Sequence, residues 1–127
     1  MTDAVLDSSA VLADLLGESG GDISRAAAPT AAISAANYAE VITKLITRGM
    51  AERDAVLAAE DVALEVATAD QRQAELAGAL HARTRALGIS MGDAFCLVLA
   101  ETLGLPVLTA NRRLVEVDAG VEVRLIR

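Results

Sequence analysis

Apolar positions along the chain fall into short runs and longer helical stripes. Residues 4–6 form a three-residue apolar run that stops at Asp7, the pattern of a short buried strand. Ser8-Ser9 follows, then apolar positions at helical spacing over 10–16, closed by Gly17. Serine before and glycine after are the expected punctuation of a helix. Residues 18–30 are richer in Gly, Ser and Pro and predict a loop with room for a short helix. Ala35, Tyr38, Ala39, Ile42, Leu45 and Ile46 recur at helical spacing up to Gly49, and another helix is expected to begin near Glu52. Residues 62–66 are ambiguous, fitting either the continuation of that helix or a strand. Residues 71–87 read as a polar, Arg-bearing amphipathic helix stopped by Gly88. Residues 91–103 are nearly all apolar, which predicts a helix buried on most sides and ended by Gly104. Residues 106–109 predict a strand, and 121–125 alternate as an edge strand does.

Short apolar strands between helices predict an α/β fold, a three-layer sandwich in which a short parallel sheet is flanked by helices. A chain of 127 residues without internal repeat or long linker fits a single domain over 1–127. In such folds the site lies beyond the carboxyl ends of the strands. Asp7 stands at one such end, and Asn111 stands just past another.

Composition narrows the picture. Alanine occurs 27 times and aromatics make up 2% of the chain, which favours tightly packed helices over aromatic base-stacking platforms. The formal net charge of -7 excludes a broad basic face that holds nucleic acid by charge alone. A single cysteine, Cys96, excludes an internal disulfide framework and favours a reducing compartment. The first residues lack the basic flank and apolar core of a signal peptide. The uncharged stretch 26–39 carries Pro29, Thr30, Ser34 and Asn37, and is too short and polar to span a bilayer. A cytoplasmic protein without membrane association is expected.

Three acids stand where apolar residues would be expected: Asp7, Glu40 and Asp93. Each has a structural reading. Asp7 can cap the helix that follows, as can Ser8 or Ser9. Glu40 can pair with Lys44 four residues on. Ser90-Met91-Gly92-Asp93 has capping-box spacing. Taken together they suggest more. Carboxylates held roughly 5 Å apart repel by about 3 kcal/mol per pair at an effective dielectric of about 20. Such a cluster needs a compensating cation or raised pKa values. Oxygen ligands without neighbouring His or Cys favour Mg²⁺ or Mn²⁺ over zinc. A metal there can generate hydroxide and stabilise a phosphodiester transition state, and it reconciles an acidic protein with an anionic substrate.

The chain resembles the PIN-domain family, specifically the VapC-type toxins of bacterial toxin–antitoxin pairs. Four segments from Val5 to about Leu114 carry the likeness, in the right order and spacing. They are Val5-Leu6-Asp7-Ser8-Ser9-Ala10; Ser34-Ala35-Ala36-Asn37-Tyr38-Ala39-Glu40-Val41; Ile89-Ser90-Met91-Gly92-Asp93-Ala94; and Pro106-Val107-Leu108-Thr109-Ala110-Asn111-Arg112-Arg113. The resemblance implies a PIN-like fold and a Mg²⁺- or Mn²⁺-dependent endoribonuclease. Asp7 and Asp93 would be the main metal ligands, and Glu40 would complete the pocket as ligand or by orienting water. Asn111 stands where many members carry a fourth acid; an amide binds through its oxygen but brings no charge, which leaves the number of metals open. Ser8 and Thr109 would support the site by hydrogen bonds, and Arg112 and Arg113 would contact phosphate. The implied partners are an RNA substrate, a VapB-like antitoxin that covers the acidic pocket, and a second copy of the chain in a homodimer.

The alternative is a PIN-fold binding module with little or no catalysis, kept open by Asn111. A phosphoacceptor receiver domain fits poorly, since Lys44 is the one lysine and lies in an early helix. Glu116 and Asp118 lie near enough in sequence to add charge to the site. His81 reads as a surface residue, Cys96 as core, and Arg72, Arg83 and Arg85 as a solvated helix face.

Overall fold

The computed structural model describes residues 1–127. Strands β1 (Ala4–Leu6), β2 (Ala31–Ser34), β3 (Glu65–Ala67), β4 (Val107–Thr109) and β5 (Val123–Leu125) form one sheet. Its order is β3-β2-β1-β4-β5, and every neighbouring pair is parallel. Six helices connect the strands: α1 (Ser8–Leu15), α2 (Gly21–Ala27), α3 (Ala35–Thr47), α4 (Glu52–Asp61), α5 (Gln71–Arg83) and α6 (Met91–Leu103).

Successive strand residues face opposite sides of a sheet, and two cores follow from that alternation. Ala4, Leu6, Ala31, Ile33 and Leu108 pack against Val11, Val41, Leu45, Ala55 and Ala59 of α1, α3 and α4. Val5 and Val107 pack against Ala77, Leu80, Leu97, Leu99 and Leu114 on the other face, beneath α5, α6 and the turn after β4. Parallel strands need crossover connections, so helices cover both faces and the sandwich has three layers. The chain runs from β1 outward through β2 and β3, then returns across the sheet to β4 and β5. The crevice between β1 and β4 is therefore a topological switch point, where ligands of such sheets bind.

Most predicted elements are present, and the differences have local causes. The first helix begins at Ser8 because Asp7 caps it, its carboxylate accepting from the Ala10 N–H. The 18–30 segment holds α2 and a 3-10 turn over Ala28–Thr30. Strand β2 was not predicted; its four residues, Ala-Ala-Ile-Ser, are all buried and show no alternation. The ambiguous segment resolves into a turn and β3, since Ala63 takes a left-handed φ of 61° that ends the preceding helix. The helix predicted over 71–87 stops at Arg83, where the Thr84 hydroxyl bonds back to the Leu80 carbonyl; a 3-10 turn follows over Arg85–Leu87. No helix is long and apolar enough to cross a membrane.

Candidate active site

Asp7 leaves the end of β1 and is 1% exposed. One oxygen, Oδ1, accepts from the Ala10 N–H at 3.0 Å and the Ser9 hydroxyl at 2.7 Å. The other, Oδ2, accepts from the Thr109 hydroxyl at 2.5 Å. Those hydroxyls are themselves engaged from β4: Ser9 Oγ accepts the Ala110 N–H and Thr109 Oγ1 accepts the Asn111 N–H, both at 2.9 Å. The carboxylate thus ties β1, α1 and the turn after β4 together. Burial pushes its pKa up from 3.8 to about 6; the bonds from Thr109, Ser9 and Ala10 oppose this rise, and the charge of Asp93 adds to it.

Glu40 lies on α3, half-buried. It does not pair with Lys44. Its Oε1 accepts from the Ser8 hydroxyl at 3.2 Å and from Asn37 Nδ2 at 2.9 Å, while Oε2 makes no hydrogen bond. Asn37 sits three residues earlier, on the same helix face. It is fully buried, and its Nδ2 also donates to the Gly92 carbonyl of α6 at 3.0 Å. The Glu40 carboxylate occupies the space a side chain at Gly92 would fill: a Cβ there would stand 2.2 Å from Oε1 and 2.3 Å from Oε2.

Asp93 opens α6 and completes the capping box. Its Oδ2 accepts from the Ser90 N–H at 2.8 Å, and the Ser90 side chain accepts from the Asp93 N–H at 3.1 Å. The capping role and the proximity to Asp7 coexist. Asn111 Nδ2 approaches the same Oδ2 at 3.4 Å, while its Oδ1 accepts from the Arg113 N–H at 3.1 Å. The amide oxygen of Asn111 is therefore turned to its own 3-10 turn, and its NH₂ is turned to the acid. Asp93 Oδ1 makes no hydrogen bond.

Cys96, buried on the turn of α6 after Asp93, registers the convergence of the acids. Burial pushes its thiol well up, and the charges of Asp7, Asp93 and Glu40 push further. The carboxylates stand around one crevice without closing into a cage, and no three His, Cys, Asp or Glu side chains meet closely enough to ligate one ion. The donor set fits a hard cation. It is all oxygen, it includes a buried carboxylate, and two further carboxylates each keep one oxygen without a partner.

Ser8 and Thr109 thus stand beside Glu40 and Asp7 respectively. Arg112 and Arg113 are exposed and donate to the main-chain carbonyls of Arg127 and Gly88. Asp118 is elsewhere, in a cleft with Leu80, Arg83, Val98 and Glu101. His81 is half-buried on α5, and Arg72, Arg83 and Arg85 are exposed. Three residues that sequence reasoning did not assign to the site belong to it: Ser9, Asn37 and Gly92. For Asn37 the signal was an amide three residues before an acid and four before Val41, on the face of α3 buried with Val41 and Leu45.

Carboxylates gathered over the switch point of a parallel sheet define the kind of site, and comparison supplies the family. The PIN domain family model matches residues 4–120, and the chain belongs to that family. Comparison with curated protein sequences finds no match. Among solved structures, the chain is similar to DNA-bound VapBC from Salmonella typhimurium, with 20% identity, TM-score 0.76 and full coverage of both chains. It is also similar to a toxin–antitoxin complex from Klebsiella pneumoniae, with 20% identity, TM-score 0.72 and 98% of each chain covered. A third is VapC20 from Mycobacterium tuberculosis, a toxin that cleaves the sarcin-ricin loop, with 19% identity, TM-score 0.73, and 94% of this chain and 99% of that one covered. These likenesses establish the same fold.

Proposed function

We propose that the protein is the toxin of a type II toxin–antitoxin pair, a metal-dependent endoribonuclease that hydrolyses RNA phosphodiester bonds and is inhibited by a VapB-like antitoxin. The observation that carries the reading is the Asp7 carboxylate. It is buried beside Asp93 at the switch point of a PIN fold, at an electrostatic disadvantage that a bound cation would relieve. Membership of the PIN family and likeness to VapBC complexes support the partner and the reaction class.

Asp7, Asp93 and Glu40 would hold Mg²⁺ or Mn²⁺. When bound, the metal supplies positive charge that lowers the pKa of water and stabilises negative charge developing on phosphate. The chain's own residues do the rest. Ser9 and Thr109 fix both oxygens of Asp7, and Ser90 fixes one oxygen of Asp93. Glu40 would present its unpartnered Oε2 as a ligand or as an acceptor for water. Asn111 lends its NH₂ to Asp93 and adds no charge, which favours one tightly held metal over two. Arg112 and Arg113 would exchange their long bonds to main-chain carbonyls for bonds to phosphate oxygens. A homodimer working in the cytoplasm completes the proposal.

The test is cleavage of total cellular RNA by purified, antitoxin-free protein with Mg²⁺, with Mn²⁺ and with EDTA. Discrete metal-dependent bands are expected. Folded protein that neither cleaves RNA nor binds Mn²⁺ would overturn the reading. It would favour the non-catalytic binding module, for which the donor rather than acceptor face that Asn111 turns to Asp93 is the supporting observation.

A further inference from the structure

Glu40 is the most adjustable of the three acids, since it projects from mid-helix on a flexible side chain. Something must hold its carboxylate at the crevice. The side chain has neither an ion pair nor a backbone cap. Its contacts are the Ser8 hydroxyl at 3.2 Å, the Asn37 amide at 2.9 Å and the space over Gly92. The Asn37 amide can face only one way. Both groups within its reach, Glu40 Oε1 and the Gly92 carbonyl, are acceptors, so the NH₂ must point at them. The price of that orientation is visible: Asn37 Oδ1 is buried without any partner. A buried unpartnered acceptor is unfavourable, and a fully buried asparagine is not what packing alone would select at this position of α3.

We infer that Asn37 is a positioning residue, and that with the opening left by Gly92 it sets the Glu40 carboxylate so that Oε1 is engaged and Oε2 is left free for a cation. The inference rests on the metal-dependent reading above and adds to it residues that neither touch substrate nor ligate. Asn37 acts through Glu40 alone. Its second bond, to the Gly92 carbonyl at 3.0 Å, fixes the orientation of the amide that reaches Glu40.

The test compares Mn²⁺ affinity by calorimetry with the melting temperature of metal-free protein for Asn37→Leu, Gly92→Ala and Glu40→Ala, and for Glu40→Ala combined with each of the others. Asn37→Leu keeps the branched shape and removes the donors. Gly92→Ala suits a helix better than glycine, so its fold is secure, yet it drives the Glu40 carboxylate out of place. Each single variant is expected to weaken Mn²⁺ binding by about tenfold to a hundredfold, the range for a lost outer partner of a ligand. In the Glu40→Ala background, neither second substitution should weaken binding further. Wild-type affinity in Gly92→Ala and Asn37→Leu, or a lowered melting temperature with affinity unchanged, would overturn the inference. So would a further loss on top of Glu40→Ala, which would mean that Asn37 acts by another route. Wild-type protein that binds no Mn²⁺ would instead overturn the metal-dependent reading, and this inference with it.

Discussion

The acid at the end of a strand and the acids on helices are held by opposite means. Asp7 is buried, both its oxygens are saturated, and its position is dictated by the β1–β4 seam and the cap of α1. Glu40 and Asp93 are half-buried, and each has one oxygen pinned and one free. The first group is rigid and electrostatically unhappy; the second is adjustable and better hydrated. On the metal-dependent reading proposed above, a cation entering this crevice would meet one fixed carboxylate and two that can close on it. The difference teaches that the charge problem and the geometric problem of the site are assigned to separate residues.

The sharpest way to break the comparison is to remove charge at each kind of acid while keeping shape. Asp7→Asn and Asp93→Asn should both reduce RNA cleavage to the level seen with EDTA, measured on gels. Asp93→Asn keeps an oxygen for the Ser90 N–H and so should retain the wild-type melting temperature.

A second expectation concerns pH and Asp7 alone. Its folded pKa, about 6, lies above the unfolded value of 3.8. Below the unfolded value both states hold the proton, and the stabilising contribution is fully present. As pH rises the unfolded chain ionises first, so stability falls until folded Asp7 ionises. The shift amounts to about 3 kcal/mol in all. Urea denaturation of metal-free protein across this window should show the decline, and Asp7→Asn should flatten it. Identical slopes for the two proteins would mean that burial does not penalise this carboxylate.

Smaller effects separate the supporting bonds. Thr109→Val removes a buried donor to Asp7 and should lower stability by about 2 kcal/mol in denaturant titrations. Ser90→Ala removes one exposed cap bond and should lower it by about 1 kcal/mol. The smallest change is expected for Asn111→Asp. It should destabilise metal-free protein by under about 1 kcal/mol, since the sites are half-exposed, while tightening Mn²⁺ binding in calorimetry. Unchanged affinity would place residue 111 outside the metal's surroundings.

Helices with a clear stripe or strong punctuation were legible from sequence. α6, with Ser90 before it and Gly104 after it, is predicted to the residue, and α3 ends where Gly49 indicates. Strand β2 was not legible, because a strand flanked by neighbours and covered on both faces has no alternation, and alanine is a poor strand marker. Of the site, the acids were visible as charges in apolar surroundings. Their supports were not. Ser8 was assigned to the site and Ser9 was not, yet each serves an acid, Glu40 and Asp7 respectively, since adjacent positions of α1 point to different neighbours. Gly92 looked like an unremarkable position within a cap, and only the approach of α3 gives it meaning.

The seam between β1 and β4 joins segments about a hundred residues apart, with Val5 beside Val107 and Asp7 beneath Thr109. Synthesis from the amino terminus therefore makes the first acid early and its last donor late. Until β4 emerges from the ribosome, the central strand has one bare edge and Asp7 lacks its Thr109 partner. A nascent chain ending before Val107 would carry all three acids and still lack the assembled crevice. The crevice is complete only once β4 has docked beside β1. On the ribonuclease reading proposed above, that order of assembly withholds cleavage until β4 is in place, however early the three acids are made.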